Sequence, residues 1–160
     1  MLVLVVNAGS SSLKLRVVDD AGAVRAARDL PSVDRIDVGH ELGAFLDAAP
    51  GVDAAGHRVV HGGSRFTGPV LLRDAADRAL AELADLAPLH NPPSLEAVHR
   101  LRALRPGLPQ VACFDTAFHA RMPAAAATYA LPRHWREVLG IRRFGFHGLS
   151  HAWATRRAAV

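Results

Sequence analysis

Lysine is almost missing from this chain: of 160 residues, nineteen are Lys or Arg, and Lys14 is the sole lysine among them. Cysteine is equally scarce, since Cys113 stands alone and excludes an internal disulfide. No apolar run approaches the roughly 18 residues that a membrane helix requires. The opening Met1–Val6 is apolar, but it has neither the basic leader nor the cleavage site of a secretory signal. Internal repeats and low-complexity tracts are lacking too, the Ala-rich stretch 124–127 being too short to count. These absences argue against a disulfide scaffold, a helical membrane protein and a disordered chain, and together they read as cytoplasmic with no membrane partner.

What is present suits a folded α/β domain. Half of the residues are hydrophobic and 21% are charged, enough for a real core. The net charge of +4 invites a nucleic-acid reading, yet the arginines are spread along the chain with acidic residues among them, so no nucleic acid is expected. A lysine that survives a strong drift toward arginine, beside a Gly-Ser loop, marks Lys14 as a candidate site residue.

The hydrophobic pattern predicts strands over 2–6, 13–18 and 23–30, a meander with a Gly-Ser turn at its first hairpin. Helix is expected over 37–49, strand over 54–60, and a helix from Asp74 with Leu80, Leu83 and Leu86 inward and Asp77 outward. Asn91 reads as an N-cap with Pro92 at the first helical position, followed by a stripe of Leu95, Val98, Leu101 and Leu104. Strand 110–114, helix 132–139, strand 141–146 and a helix from Ser150 complete the prediction. That last helix reaches Val160 with no cap or stop signal, as a truncated chain does. A meander followed by alternating strands and helices is an α/β fold with a mixed sheet.

Four segments place polar residues just after an apolar strand, where open α/β sheets bind ligands. Asn7–Lys14 offers a tight turn at Gly9, serine hydroxyls, an amide and a positive charge, a set suited to phosphate oxygens or simply to a hairpin. It is neither a Walker A loop nor a GxGxxG motif. Arg58 lies inside a strand-like run, so its guanidinium needs an anion or a buried partner. Asp115 ends a buried strand and is fit either to hold magnesium or to cap a following turn. His147 stands between a strand and a Gly-Ser helix start, an imidazole beside an anion-attracting helix N-terminus. His57 and His61, and likewise His147 and His151, are four apart. That spacing suits zinc only on one helix face, and here a strand carries one pair and Gly148 interrupts the other.

Five strings, in order from end to end of the chain, resemble the acetate kinase family: Val-Asn-Ala-Gly-Ser-Ser-Ser-Leu-Lys (6–14), Gly-His-Arg-Val-Val-His-Gly-Gly (56–63), Leu-Ala-Pro-Leu-His-Asn-Pro-Pro (86–93), Phe-Asp-Thr-Ala-Phe-His (114–119) and Gly-Ile-Arg-Arg-Phe-Gly-Phe-His-Gly (140–148). Butyrate and propionate kinases share much of this pattern. The resemblance implies an actin-like ATPase domain with a ribonuclease-H-like mixed sheet flanked by helices. It also implies the reversible reaction of ATP with acetate to give ADP and acetyl phosphate, with Mg2+, by direct in-line transfer. Matched residue by residue, Asn7, Ser10, Ser12 and Lys14 would face the phosphates of ATP. Arg58 would hold the carboxylate or the moving phosphoryl group, and Val60, Leu89 and Phe146 would enclose the methyl group. Asp115, with Asn7, would organise the metal. His147 would stabilise the phosphoryl group in flight, with His90 and His151 in support. Arg58, Asp115 and His147 are thus the catalytic set, in a site that must be cationic overall.

This chain also departs from the family pattern. Leu149 stands where the family carries a hydroxyl residue, which would loosen the site, and the stretch 15–55 is short. Residues 1–160 would be the N-terminal actin-like domain, truncated, with the second, adenosine-binding domain absent. That second half would bring a further arginine, more metal-site residues and most of a homodimer interface. The alternatives are a propionate or butyrate kinase, or an inactive fragment that only binds small anions.

Overall fold

In the computed structural model, which describes residues 1–159, six strands form one mixed sheet in the order β3-β2-β1-β4-β6-β5. Val160 lies outside the described residues; the last helix, expected to reach it, ends at Ala158 with Ala159 as its cap. The meander is as predicted: β1 (Leu2–Ala8), β2 (Ser12–Asp19) and β3 (Val24–Pro31) pair antiparallel. Both turns tighten through a glycine, with Gly9 N donating to Ser12 O at 2.8 Å and Gly22 in the left-handed region at φ 81°. β4 (Ala54–Val59) lies parallel to β1, and β6 (Gln110–Phe114) lies parallel to β4. The short β5 (Val70–Leu71), which the sequence pattern does not reveal, closes the far edge against β6.

Helices α1 (Val38–Ala48), α2 (Asp74–Ala81) and α3 (Asn91–Leu104) cover one face of the sheet. Asp37 caps α1 by accepting from His40 N at 3.0 Å. The alternation of β1 and β2 sends Leu4, Val6, Leu13, Leu15 and Val17 inward against Leu42 and Phe45 of α1 and Leu101 of α3. A second cluster joins Val59 and Phe114 to Leu80, Leu95 and Val98. Leu80 is buried as predicted, but α2 ends at Ala81, so Leu86 stands 51% exposed in a 3-10 turn instead of facing the core. Asp77 is not a free outward charge, because Arg102 of α3 holds it in an ion pair.

Three further short or terminal elements follow: α4 (Ala124–Ala127), α5 (Arg133–Val138) and α6 (Gly148–Ala158). The predicted strand 141–146 does not form, and these residues run as an extended strap outside the sheet. The physical reason is that both edges of β6 are already taken, one by β4 and one by β5. The strap instead ties back through Arg143 N to Ala127 O at 2.8 Å. Large exposed apolar side chains, among them Trp135, Val138, Leu139, Phe146 and Trp153, gather in this last part of the chain.

Beneath the sheet, His57 is 1% exposed and its Nε2 lies 2.7 Å from Gln110 Oε1. Burial pushes its pKa down to about 4. The unfolded chain therefore takes up a proton that the folded one refuses. Stability is complete above pH 6.5 and falls by about 3 kcal/mol as the pH drops through that value to 4. Replacing both partners by apolar residues, His57→Leu with Gln110→Leu, should leave stability at pH 7 nearly unchanged. Urea titrations at several pH values should then show the acid-side slope reduced by one proton, and an unaltered slope would contradict the assignment.

Candidate active site

The site lies at the carboxyl ends of β1, β4 and β6, on the sheet face opposite α1 to α3. Alternation decides which side chains arrive there: in β4, His57 and Val59 point into the core, and Arg58 points to the open face. The neighbouring strands contribute Asn7 from β1 and Asp115 from the turn that follows β6. Arg58 joins them, its Nε and Nη2 donating to Asp115 Oδ2 at 3.0 and 2.6 Å and its Nη1 donating to Asn7 Oδ1 at 3.2 Å. Asp115 is 1% exposed, so the guanidinium is the counter-charge that makes its burial tolerable. Both readings of Arg58 thus meet in one residue: it has its buried partner, and its remaining surface faces a cavity. Because that partner is a carboxylate, the two fixed charges offset one another and the site is less cationic than the sequence led us to expect.

Arg58, Asp115, His147, Val60, Leu89 and Phe146 all line one cavity of about 450 Å³, with Leu86, Ala87, Pro88 and His90 completing its wall. The lining is mostly apolar, interrupted by Arg58, Asp115 and two histidines, a composition suited to a small acid with a hydrocarbon tail. A second cavity of about 410 Å³, lined by Asn7, Arg58, Leu149, Ser150 and Trp153, lies on the other side of Arg58. Lys14 stands opposite Asn7 in the antiparallel register and so shares its face. It is exposed, as are Ser10 and Ser11, while Ser12 is half-buried. The Gly-Ser loop residues Ser10 and Ser12 line neither cavity.

His147 is the N-cap residue of α6, as its position before Gly148 led us to expect, and it holds φ 55°, ψ 26°. Among the described residues it is the only non-glycine with positive φ, a conformation that costs an L-residue about 1–2 kcal/mol. Gly148 explains how α6 comes so close: a Cβ there would overlap the Asp115 carbonyl oxygen and the Phe118 side chain. The Leu149 N–H then points at Asp115 Oδ1 from 3.5 Å, so the buried carboxylate also sits at a helix N-terminus. The Leu149 side chain faces the second cavity, beside Trp153.

Other supporting residues take roles that the sequence reading did not assign. Asn91 is fully buried; it is the first residue of α3, not its cap, a position that falls to His90 and leaves Pro92 second. Its amide instead grips the end of β4, Oδ1 accepting from His61 N at 3.2 Å and Nδ2 donating to His61 O at 3.0 Å. Ser94 donates to Arg58 O at 3.1 Å, and Thr116 Oγ1 accepts from Gly62 N at 2.9 Å. Of the histidines spaced four apart, His57 is engaged by Gln110, and His61 Nδ1 accepts from Gly63 N. Among the described residues no group of three or more His, Cys, Asp or Glu is placed to hold a metal. Cys113 neighbours Arg58 in the sheet, but burial pushes its thiol pKa up and leaves it unreactive.

A sequence profile described as the Acetokinase family matches residues 40–160. The chain belongs to that family. An acetate kinase of Thermosipho africanus is 40% identical over 192 residues, covering 99% of this chain and 47% of the relative. One from a Synechococcus strain is 53% identical over 117 residues, covering 73% of this chain and 29% of that protein. Among solved structures, a propionate kinase from Francisella tularensis superposes with a TM-score of 0.85 at 32% identity, covering 99% of this chain and 48% of its own. The Porphyromonas gingivalis acetate kinase gives 0.83 at 32%, covering 98% and 48%. The fold is therefore the actin-like ATPase fold that the five motifs implied. This chain spans about half the length of these relatives, and the 192-residue matches to a 160-residue chain mean that the relatives carry residues it lacks.

Proposed function

We propose that this chain supplies the carboxylate-binding and phosphoryl-receiving half of an acetate kinase, with residues 1–160 as its N-terminal domain. The observation that carries this reading is Arg58, a guanidinium fixed by Asn7 and Asp115 in the wall of a mostly apolar cavity. The acid's carboxylate lies against Arg58, with its methyl group among Val60, Leu89 and Phe146. A carboxylate oxygen attacks the γ-phosphorus of ATP in line, the bond to the β-phosphate oxygen breaks, and acetyl phosphate and ADP result. Such transfer needs little covalent help; it needs positioning and positive character around the moving oxygens, which Arg58 and His147 provide. Asn7, Ser10, Ser12 and Lys14 face the triphosphate.

Magnesium fits as a shared ion. Asn7 and Asp115 offer one amide and one carboxylate oxygen, and among the described residues no cluster of three acidic or other ligating side chains adds to them, so water and phosphate oxygens would complete the shell in the usual magnesium manner. When bound it would neutralise charge on the β- and γ-phosphate oxygens. Among the described residues no helix is long and apolar enough to cross a membrane. A cytoplasmic, homodimeric full-length enzyme completes the proposal. Its second half would cover the exposed apolar side chains of α5, the strap and α6 and bring the adenosine pocket.

The test is acetyl phosphate formation, trapped as a hydroxamate. The 160 residues alone should give none with magnesium, ATP and acetate. Fused to the second half of the Thermosipho africanus relative, they should give magnesium-dependent turnover. Turnover by the chain alone would overturn the division of the site between two halves. Propionate should serve within about 10–200-fold of acetate in kcat/KM, because one methylene in an apolar pocket discriminates no further.

A further inference from the structure

His147 sits in a conformation that its own backbone resists, so something nearby must hold it there. The contacts of the strap identify what does. His119, half-buried in the 3-10 turn after β6, brings its Nε2 to 3.1 Å from the carbonyl oxygen of Phe146, the residue just before His147. A carbonyl only accepts, so His119 carries its proton on Nε2, as both the matching neutral tautomer and the imidazolium do. Its ring also lies against Gly145, so closely that a Cβ there would overlap Cγ, Cδ2 and Nδ1. Edge contacts with Phe118 at 5.0 Å and His151 at 5.7 Å fix the ring from two further sides.

From these contacts we propose that His119 is a positioning residue, whose Nε2–H holds the Phe146 carbonyl and thereby keeps His147 left-handed and its imidazole in the cavity. His119 itself does not line that cavity. Its catalytic meaning rests on the transfer reading above, but the geometric claim does not. One hydrogen bond is of the same order as the strain at a single left-handed residue, so it can decide the balance. The other restraints are the close seat of Gly148 and the His151 N to His147 O bond at 2.9 Å. Both act on the carbonyl side of His147; on its amide side His119 holds the Phe146 carbonyl, while His61 meets only the Phe146 ring, with 5.6 Å between centroids.

Nuclear magnetic resonance on the labelled 160-residue chain tests this without substrate. In the parent, His147 should give the strong intraresidue amide-to-Hα contact of a left-handed residue, and a Gly145 Hα should be shifted upfield by the His119 ring. His119→Phe keeps a ring and removes the donor, so the Gly145 shift should persist while the His147 signature is lost. His119→Gln restores a donor without a ring, so the His147 signature should return and the Gly145 shift vanish. Amide shifts in β1 to β3 report whether each variant is folded. A His147 that stays left-handed in His119→Phe, or one that is lost equally in folded His119→Gln, would overturn the proposal. In the fused enzyme, His119→Phe should lower kcat about a hundredfold with little change in KM for acetate, and His119→Gln should recover most of it. Parental kcat in His119→Phe beside a lost His147 signature would leave the positioning intact and count against the transfer role of His147.

Discussion

Arg58→Ala is expected to lower kcat/KM of the fused enzyme by about a thousandfold or more and to destabilise the isolated chain by about 3 kcal/mol. The two effects share one cause. The guanidinium spends one edge on Asp115, which is 1% exposed, and another on Asn7, and its remaining surface faces the cavity. Removing it leaves a buried carboxylate with no counter-charge and leaves the acid nothing to pair with. Arg58→Lys should rescue little, because a point charge cannot span Asn7 and Asp115 in the fork geometry that Arg provides. Asp115→Asn in the Arg58→Ala background should recover part of the stability, because it removes the orphaned charge, but none of the turnover. Urea denaturation and steady-state kinetics read the two effects separately. A stability loss that Asp115→Asn does not reduce would refute the burial argument. A kcat/KM within tenfold of the parent would refute the carboxylate assignment.

Gly148→Ala is expected to be nearly as severe, though it adds only one methyl group. A Cβ at this position would overlap the carbonyl oxygen of Asp115, a main-chain atom that cannot rotate away. Either α6 backs off or the turn after β6 deforms, and both movements separate His147 and the Leu149 N–H from Asp115. We expect a loss of about 3 kcal/mol, at the upper end of overpacking costs, seen as a melting temperature lower by roughly 6–12 °C. Gly140→Ala makes the contrast. Its φ of 63° gives it backbone strain, but no atom lies within reach of a Cβ, so it should cost about 1 kcal/mol and leave the site intact. A loss in Gly148→Ala no larger than that in Gly140→Ala would show that the close seat of α6 yields to the added methyl group and does not set a large effect.

Much of this was legible in the chain before any coordinates. The apolar run of β1 and the alternation of β2 are local signals, and local signals decide such elements. The cavity-lining residues were legible for another reason: each belongs to a motif that keeps its order along the chain. What sequence could not provide were the outcomes of competition. Residues 141–146 have the composition of a strand, but two hairpin-length residues, Val70 and Leu71, occupy the edge it would need. Asn91 has every mark of a cap, yet burial beside the end of β4 gave its amide a better use. His119 looked like the tail of a motif, because its partner lies 27 residues away on a segment that belongs to no sheet. The charge of the site was legible only in part: the order of the chain does not reveal that the buried carboxylate of Asp115 has already claimed one edge of Arg58.

The double grip of Asn91 on His61 has a consequence for selectivity. Val60 sits next to that grip, and Ser94 pins the carbonyl of Arg58 from the same helix, so this jaw of the cavity is anchored to the core. Phe146 comes from the strap, held there by the His119 side-chain bond and a ring contact with His61. A longer hydrocarbon tail must find its room by displacing the jaw that yields. Tolerance for larger acids should therefore follow the tethering of Phe146 more closely than the size of residue 60.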